Sequence, residues 1–232
     1  MSTLMLRLAA PMQAWGSESK FDIRRTYTEP TKSGVIGLLM AALGCPKEDD
    51  ETLHLLNKLH MGIRVDRAGE IMRDFHTAHP DKGTGYVTYR YYLNDAVFVV
   101  GLESDDDALL RRLDNALKTP VFPLFLGRRS CPPTLPLALG VRNTDLEESL
   151  QAEPCYDKRW NKNIEDKEMR LYFESKMLPK GCMARRLKCN PISFNQQHRR
   201  FGYYYLVEGN PVILHKEVIE DKNTEHDPFA EF

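Results

Sequence analysis

The sequence has no hydrophobic run long enough to cross a membrane. Its best candidate, residues 35–43, falls well short of the roughly 20 apolar residues that a membrane-spanning helix needs, and glycines bound it on both sides. The N-terminus also lacks a basic segment followed by a long apolar stretch, the pattern of a signal peptide. We therefore expect neither secretion nor a membrane partner.

Cysteine is scarce and its spacing is uninformative. The five cysteines are an odd number, are widely separated and never form a Cys-x-x-Cys pair; they are Cys45, Cys131, Cys155, Cys182 and Cys189. This pattern argues against a disulfide framework and against a zinc knot. It predicts a reduced, cytoplasmic protein whose cysteines serve as small packing residues.

Neither sign of charge predominates. The chain has 32 Lys and Arg residues against 33 Asp and Glu residues, and its formal net charge is −1. A protein held to nucleic acid by its total charge is therefore not expected. Apolar residues make up 42% and charged residues 28% of the chain, which is typical of a globular protein and excludes a disordered one.

The charges are nevertheless segregated along the chain. Residues 120–142 contain three basic residues (Arg128, Arg129 and Arg142) and no acidic one, and residues 176–207 contain seven basic residues and again no acid. The acids are concentrated elsewhere, above all in the tail from Glu208 onward. Such segregation predicts a local groove for phosphates on a protein that is neutral as a whole.

Two further patterns fit phosphate or base binding but also have a structural explanation. Five aromatic residues lie inside the second basic block, where they could stack on bases or simply fill a core strand; they are Phe194, Phe201, Tyr203, Tyr204 and Tyr205. The helix start at residues 31–33 offers free N–H groups and a lysine to a phosphate, or its hydroxyls merely cap the helix. The sequence leaves both alternatives open.

Hydrophobic periodicity predicts an α+β fold. Residues 3–8 alternate as a half-buried strand, a helix starts at 30–33 and stops at Gly44, and a second helix covers 50–59. Strands are predicted at 62–66, 96–102 and 121–126, with a helix at 104–117 between the last two. Without insertions the order is β-α-β-β-α-β, the ferredoxin-like arrangement.

The chain divides into two predicted regions. Residues 1–142 form the ferredoxin-like domain, with residues 68–95 inserted between its second and third strands as an extended hairpin. Residues 143–232 form a smaller β-rich region packed on the first, with candidate strands at 170–174, 184–188 and 201–207.

No motif predicts catalysis, a metal or a cofactor. Gly83 to Thr88 imitates a dinucleotide fingerprint but lacks the third glycine and precedes a strand. The two histidines of residues 76–79 lie in an extended segment, which places them on opposite faces and disfavours a metal site. Tyr27, Lys32 and His198 have the acid–base chemistry of a metal-independent ribonuclease, although no spacing supports that grouping.

The order of several motifs closely resembles the CRISPR-associated CasD family, the Cas-five RAMP subunit of type I-E Cascade. The motifs span residues 4–142, about 60% of the chain, and are Leu8 to Gly16, Pro30 to Gly34, Asp74 to Thr77, Arg90 to Ala96 and Leu126 to Pro132. The remaining residues match more weakly, mainly at 191–194 and 199–205.

The resemblance implies a non-catalytic RNA-binding subunit that caps the 5′ handle of the CRISPR RNA in antiviral defence. Its fold would be an RNA-recognition-type ferredoxin domain with a hairpin thumb. Its implied partners are the RNA handle and the backbone and large subunits of Cascade, and it would not be a homo-oligomer in that complex.

The resemblance also implies the RNA-binding residues. They are Gln13, Trp15, Gly16 and Arg24 against the handle, Thr31, Lys32 and Ser33 at the helix start, His76, Thr77 and Arg90 in the thumb and at its base, and Arg128, Arg129 and Ser130 after the last strand.

Two other functions stay open on the sequence. Type I-C relatives cut repeat RNA themselves, so a metal-independent endoribonuclease is the alternative. A third possibility is a protein-interaction subunit whose aromatic strand packs on a partner.

Overall fold

The computed structural model describes residues 1–16, 22–79, 84–160, 166–177 and 183–215. Four helices occur in these ranges: α1 (Lys32–Leu43), α2 (Asp50–Leu56), α3 (Asp107–Lys118) and α4 (Leu146–Ala152). The strands are β1 (Ser2–Ala9), β2 (Met12–Gln13), β3 (Trp15–Gly16), β4 (Ile23–Arg24), β5 (Thr26–Tyr27), β6 (His60–Arg67), β7 (Glu70–Ala78), β8 (Tyr86–Asn94), β9 (Val97–Ser104), β10 (Ala138–Arg142), β11 (Lys167–Ser175), β12 (Ala184–Ser193), β13 (Arg200–Glu208) and β14 (Val212–Leu214).

An eight-stranded antiparallel sheet organises the chain. Its strand order is β10-β1-β9-β6-β11-β13-β12, and β14 pairs with β11. In the first half the chain order is β1-α1-α2-β6-β9-α3-β10, with β7 and β8 inserted between β6 and β9. The four strands of that half lie side by side in the order fourth, first, third, second. This mixed α/β arrangement confirms the predicted fold class and is compatible with a ferredoxin-like fold.

The first strand is buried on both faces, not on one as predicted. Leu4, Leu6 and Leu8 pack in the main core with α1 and α3, while Met5 packs against Leu146 and Leu150 of α4. Arg7 on the second face is also buried, and its guanidinium donates to three carbonyls of residues 134–136. The polar position of this alternating strand is buried because the loop at residues 134–136 supplies hydrogen-bond acceptors for the Arg7 guanidinium.

The prediction of a strand at residues 121–126 is wrong. The N–H groups of Val121 and Phe122 donate to the carbonyls of Ala42 and Ala41, so this segment closes the C-terminal end of α1. The strand that pairs with β1 is β10 instead, at residues 138–142.

Helix ends follow their local chemistry. The Thr31 hydroxyl accepts from the N–H of Gly34 at 3.3 Å, and Gly44 closes α1 as predicted. Asp106 caps α3 by accepting from the N–H of Leu109, and the predicted inward leucines of α3 are buried. The second helix ends at Leu56, three residues before the predicted end.

The inserted hairpin consists of β7 and β8, paired from Glu70 and Asn94 at its base to Ala78 and Tyr86. Short strands brace the outer edge of β8, because β2 pairs with it antiparallel and β4 pairs with it in parallel. Residues 80–83 of the predicted loop lie outside the described residues.

The later strands extend the main sheet. Strand β11 pairs with β6, and β13 and β12 follow it outward. The three predicted strands of this region are thus confirmed. The acidic tail beyond residue 215 lies outside the described residues. Among those described, no helix is long and apolar enough to span a membrane.

Candidate nucleic-acid interface

A tight turn presents the first basic pair at the base of the hairpin. The N–H of Leu126 donates to the carbonyl of Cys131, and the N–H of Cys131 donates back to the carbonyl of Arg128. The turn is fixed to the preceding part of the fold because the N–H of Ala14 donates to the carbonyl of Leu126. Arg129 and Ser130 consequently stand exposed on the surface.

Gly127 makes this turn possible. Its φ is +89°, in the left-handed region that favours glycine, and a Cβ added there would lie 1.6 Å from the carbonyl oxygen of Ala14. No side chain fits between these two backbone segments. The glycine therefore sets how closely Arg128 approaches the hairpin.

Arg128 is held against the hairpin by one aromatic ring and one carbonyl. Its guanidinium lies 4.5 Å from the centroid of the Tyr92 ring, and its Nη2 donates to the carbonyl of Arg24 at 3.1 Å. Its Nη1 is buried and has no hydrogen-bond partner among the described residues. Arg128 is only partly buried, so a phosphate oxygen would bind the solvent-facing part of the guanidinium and not Nη1.

The Tyr92 phenol lies in an unusually cationic environment. Burial alone would raise its pKa, but hydrogen bonds with Ser130 and Arg128, together with the charge of Arg128 and a hydrogen bond with Arg90, outweigh burial and lower the pKa below its ordinary value. The same groups would stabilise any oxygen-borne negative charge placed beside the phenol. The base of the hairpin is therefore suited to an anion.

Two further arginines belong to the same region. Strand β4 runs parallel to β8 with Arg24 opposite Arg90, so the backbone places both beside the Arg128 turn. Arg24 is exposed and Arg90 is partly buried. The structure thus brings together Arg24, Arg90, Arg128, Arg129 and Ser130, which lie far apart in the sequence.

His76 and Thr77 lie farther out along the hairpin. His76 shares a face with Asp74, and its Nε2 lies 2.9 Å from an oxygen of that carboxylate. Thr77 is exposed on the opposite face of β7. Arg90 pairs in register with Asp74. His76 therefore lies one step farther from the bottom of the hairpin than Arg90, on the same face of β7 as Asp74.

Gln13 and Trp15 do not offer their side chains to a ligand, which corrects that part of the prediction. The Gln13 amide nitrogen donates to the carbonyls of Leu8 and Ala96, and its oxygen accepts from the Trp15 indole nitrogen at 3.1 Å. The Trp15 ring packs against Gly34, where an added Cβ would lie 2.9 Å from a ring carbon. Both side chains are thus part of the core, and Gly16 beside them is exposed.

The helix start at residues 31–33 also differs from the prediction. Thr31 is buried as the helix cap, and the Lys32 ammonium lies 2.5 Å from a carboxylate oxygen of Glu174 and donates to the carbonyl of Leu59. Burial lowers the pKa of Lys32 more than its ion pair raises it. Both side chains are occupied inside the protein. Ser33 is partly exposed and remains at the surface.

The ribonuclease grouping loses its lysine for the same reason. A buried ammonium bonded to Glu174 is not available to exchange protons with an RNA substrate. His198 lies in the exposed turn between β12 and β13, and Tyr27 lies on β5 beside the core. Across the described ranges, no group of three or more His, Cys, Asp or Glu residues could hold a metal ion.

Sequence reasoning missed two residues that shape the site. Gly127 was part of a quoted motif, but its role depends on the carbonyl of Ala14, more than a hundred residues earlier in the chain. Tyr92 lies within the motif from Arg90 to Ala96, but the sequence predicts no contact between it and Arg128. The sequence signal that could have indicated this contact is an arginine pair followed by serine, together with a second segment rich in tyrosine.

Comparison with known proteins identifies the family of the chain. The family model of CRISPR-associated protein (Cas_Cas5) matches residues 3–205. The chain is 39% identical over 159 residues, 60% of its own length and 71% of the relative's, to the CRISPR system Cascade subunit CasD of Escherichia coli (strain K12).

Two solved structures share the fold over nearly the whole chain. A chain of a CRISPR RNA-guided surveillance complex superposes with a TM-score of 0.76 at 29% identity, covering 94% of this chain and 95% of that one. A structure described as a Cas protein superposes with a TM-score of 0.65 at 34% identity, covering 92% and 95%. The chain therefore belongs to the Cas5 family of CRISPR-associated proteins.

Proposed function

We propose that this chain is an RNA-binding subunit of a type I-E-like Cascade and that it caps the 5′ handle of the CRISPR RNA. The observation that carries this proposal is the turn at the hairpin base, where the Arg128 guanidinium is stacked on Tyr92 beside the exposed Arg129 and Ser130. Its similarity to a Cascade subunit and to a surveillance complex supports the assignment.

In this proposal the RNA backbone lies across the base of the hairpin. Arg24, Arg90, Arg128 and Arg129 hold phosphates, while Ser130 and Gly16 leave room for the sugar-phosphate chain. The face of β7 that carries His76 and the exposed Thr77 on the other face extend the contact along the hairpin. Neutral overall charge then suits a subunit that also contacts a backbone subunit and a large subunit.

The proposed subunit holds RNA and does not cut it. The one lysine of the alternative ribonuclease grouping is buried in an ion pair, and Thr31 and Gln13 serve the fold. Catalysis of repeat RNA cleavage would therefore fall to a different subunit.

The test compares two double variants in binding to a labelled CRISPR RNA. Replacing Arg128 and Arg129 by Ala removes two phosphate contacts, and we expect at least a tenfold loss of affinity and a salt slope reduced by about 1.4. The control replaces Arg111 and Lys118 on α3, two exposed cations that pair with acids of their own helix, and should change affinity less than twofold.

The same RNA should remain intact when incubated with the chain in EDTA. Specific cleavage that disappears on Tyr27→Phe or His198→Ala would replace the capping function with the endoribonuclease. Equal affinities for the two double variants would show that the turn is not an RNA contact.

A further inference from the structure

The outer face of the last two strands of the main sheet carries a second set of cations and aromatic rings. On β12 the exposed Arg186 and Lys188 alternate with the buried Leu187 and Cys189. On β13 Tyr204 and Leu206 face the core in the same way, while Tyr203 is 48% exposed. The inner face of this pair is thus core, and the outer face is open.

The cations and rings of this face are already stacked on one another. The Arg186 guanidinium lies 3.9 Å from the centroid of the Tyr203 ring, and the Lys188 ammonium lies 5.9 Å from it. Arg186 pairs in register with Tyr205, which places a second ring beside the first. We call Arg186, Lys188, Tyr203 and Tyr205 the outer basic face.

The charges that β12 and β13 contribute to this face are of one sign. No acidic residue occurs between Met183 and Val207, and the first acid on β13 is Glu208 at its end. Planar guanidinium and phenol groups stack on unpaired bases, and cations beside them hold the intervening phosphates. A protein surface of opposite charge would match the cations but would not use the exposed ring stack.

A groove between the hairpin and β12 lies on the other face of this sheet. It has a volume of about 550 Å³ and is lined by hairpin residues, by Arg185 of β12 and by two acids, Glu29 and Glu208. Arg185 pairs in register with the buried Leu206 and forms an ion pair with Glu29 at 2.8 Å. The groove therefore carries both signs of charge, and the outer basic face, which begins at Arg186, is separate from it.

Exposed cations on an edge strand also have a simpler use. Lysine and arginine at the rim of a sheet discourage pairing with a second sheet. That explanation accounts for the charges of Arg186 and Lys188, but it needs no aromatic ring stacked under them.

We propose that the outer basic face is a second, sequence-independent binding surface for single-stranded RNA. The inference rests on the proposed function, because the RNA bound at the hairpin would also supply the single strand for this second surface. The face lies apart from Arg128 and Arg129, so the two contacts are separable by mutation.

The test measures anisotropy of a labelled 20-nucleotide oligouridylate with the full chain at several salt concentrations. Replacing both Arg186 and Lys188 by Ala should weaken binding at least fivefold and reduce the salt slope by about 1.4, and Tyr203→Ala should weaken binding about tenfold. The control variant without Arg111 and Lys118 should bind as the parent chain does, and all variants are first compared by thermal melting.

The variants separate this inference from the proposed function. If loss of Arg186 and Lys188 weakens binding while loss of Arg128 and Arg129 does not, the outer basic face stands and the hairpin site fails. If the outer variant binds oligouridylate within twofold of the parent, with an unchanged slope, the inference is overturned. It is also overturned if that variant loses only oligodeoxythymidylate binding, or only a co-purifying subunit.

Discussion

At the scale of single residues, the approach of one backbone segment to another shapes the candidate RNA site. Gly127 lies so close to Ala14 that no side chain fits, and the arginine after it is stacked on Tyr92. The exposed Arg129 and Ser130 owe their position to the same turn. A small, uncharged residue thus determines where the charged ones stand.

Replacing Gly127 by Ala should therefore disable the site without touching any charge. The new methyl group would collide with the Ala14 carbonyl at a φ of +89°, so the turn must move. We expect a loss of about 1–3 kcal/mol in the free energy of unfolding and at least a fivefold loss in RNA affinity. Urea denaturation and RNA anisotropy measure the two effects.

Gly16→Ala is the matched control for stability, because an added Cβ there meets no atom within 4 Å. Its free energy of unfolding should stay within about 0.5 kcal/mol of the parent value. A Gly127→Ala variant that was as stable as Gly16→Ala and bound RNA normally would show that the turn tolerates displacement.

Long-range pairing decides which predicted site residues are available. The basic pair at 128–129 could be predicted, because a charged turn after an apolar stretch stays on the surface whatever surrounds it. Lys32 could not, because its partner Glu174 lies 142 residues later in the chain. Gln13 likewise has one of its acceptors at Ala96, 83 residues away. Spacing in the sequence carries no information about such contacts.

At the scale of elements, the same limit separates the correct predictions from the wrong ones. The helices α1 and α3 and the buried strand β9 follow from local periodicity and caps, and the structure confirms them. Residues 121–126 have the composition of a strand, yet their N–H groups complete the end of α1. On the side away from β9, β1 pairs with β10, a short segment with a glycine that no periodicity marks.

The pair between Lys32 and Glu174 joins the start of α1 to β11 inside the protein. Burial raises the pKa of Glu174 despite the attraction of Lys32, and one carboxylate oxygen of Glu174 is buried without a hydrogen-bond partner among the described residues. A buried pair of this kind stabilises little compared with apolar residues, but breaking it leaves an uncompensated charge.

Lys32→Met should lower the free energy of unfolding by about 3–5 kcal/mol, because it leaves the Glu174 carboxyl buried and unpaired. The double variant Lys32→Met with Glu174→Leu should recover most of that loss, which urea denaturation at neutral pH would measure. A double variant as unstable as the single one would instead mean that the pair itself stabilises the contact between α1 and β11.

At the scale of the whole molecule, a cluster of ion pairs ties residues 143–160 to the main sheet. The buried Arg64 of β6 donates to the carbonyls of Leu150 and Glu153 at the end of α4 and pairs with Asp66. Nearby, the Asp157 carboxylate accepts from Arg67 of β6 and from Lys167 of β11. The Asp157 carboxylate thereby joins its own loop to strands β6 and β11 of the main sheet.

Acid should therefore loosen this connection. Burial alone would raise the pKa of Asp157, but its hydrogen bonds with Arg67 and Lys167 outweigh burial and lower the pKa to about 2. Because the folded pKa lies below the ordinary aspartate value of 3.8, the ionised form stabilises the fold by about 2 kcal/mol above pH 4. That contribution is lost as the pH falls from about 4 toward 2.

Asp157→Asn measures this contribution directly. At pH 7 the variant should unfold with a free energy about 2 kcal/mol below the parent value, and the difference should shrink as the pH falls below 4, since the parent carboxylate then takes up its proton. Asp105→Asn, at an acid whose side chain is 82% exposed, should follow the parent curve. Urea denaturation between pH 7 and pH 2.5 measures these free energies of unfolding. If the difference between Asp157→Asn and the parent stays constant with pH, the ionised Asp157 carboxylate does not hold the loop to the sheet.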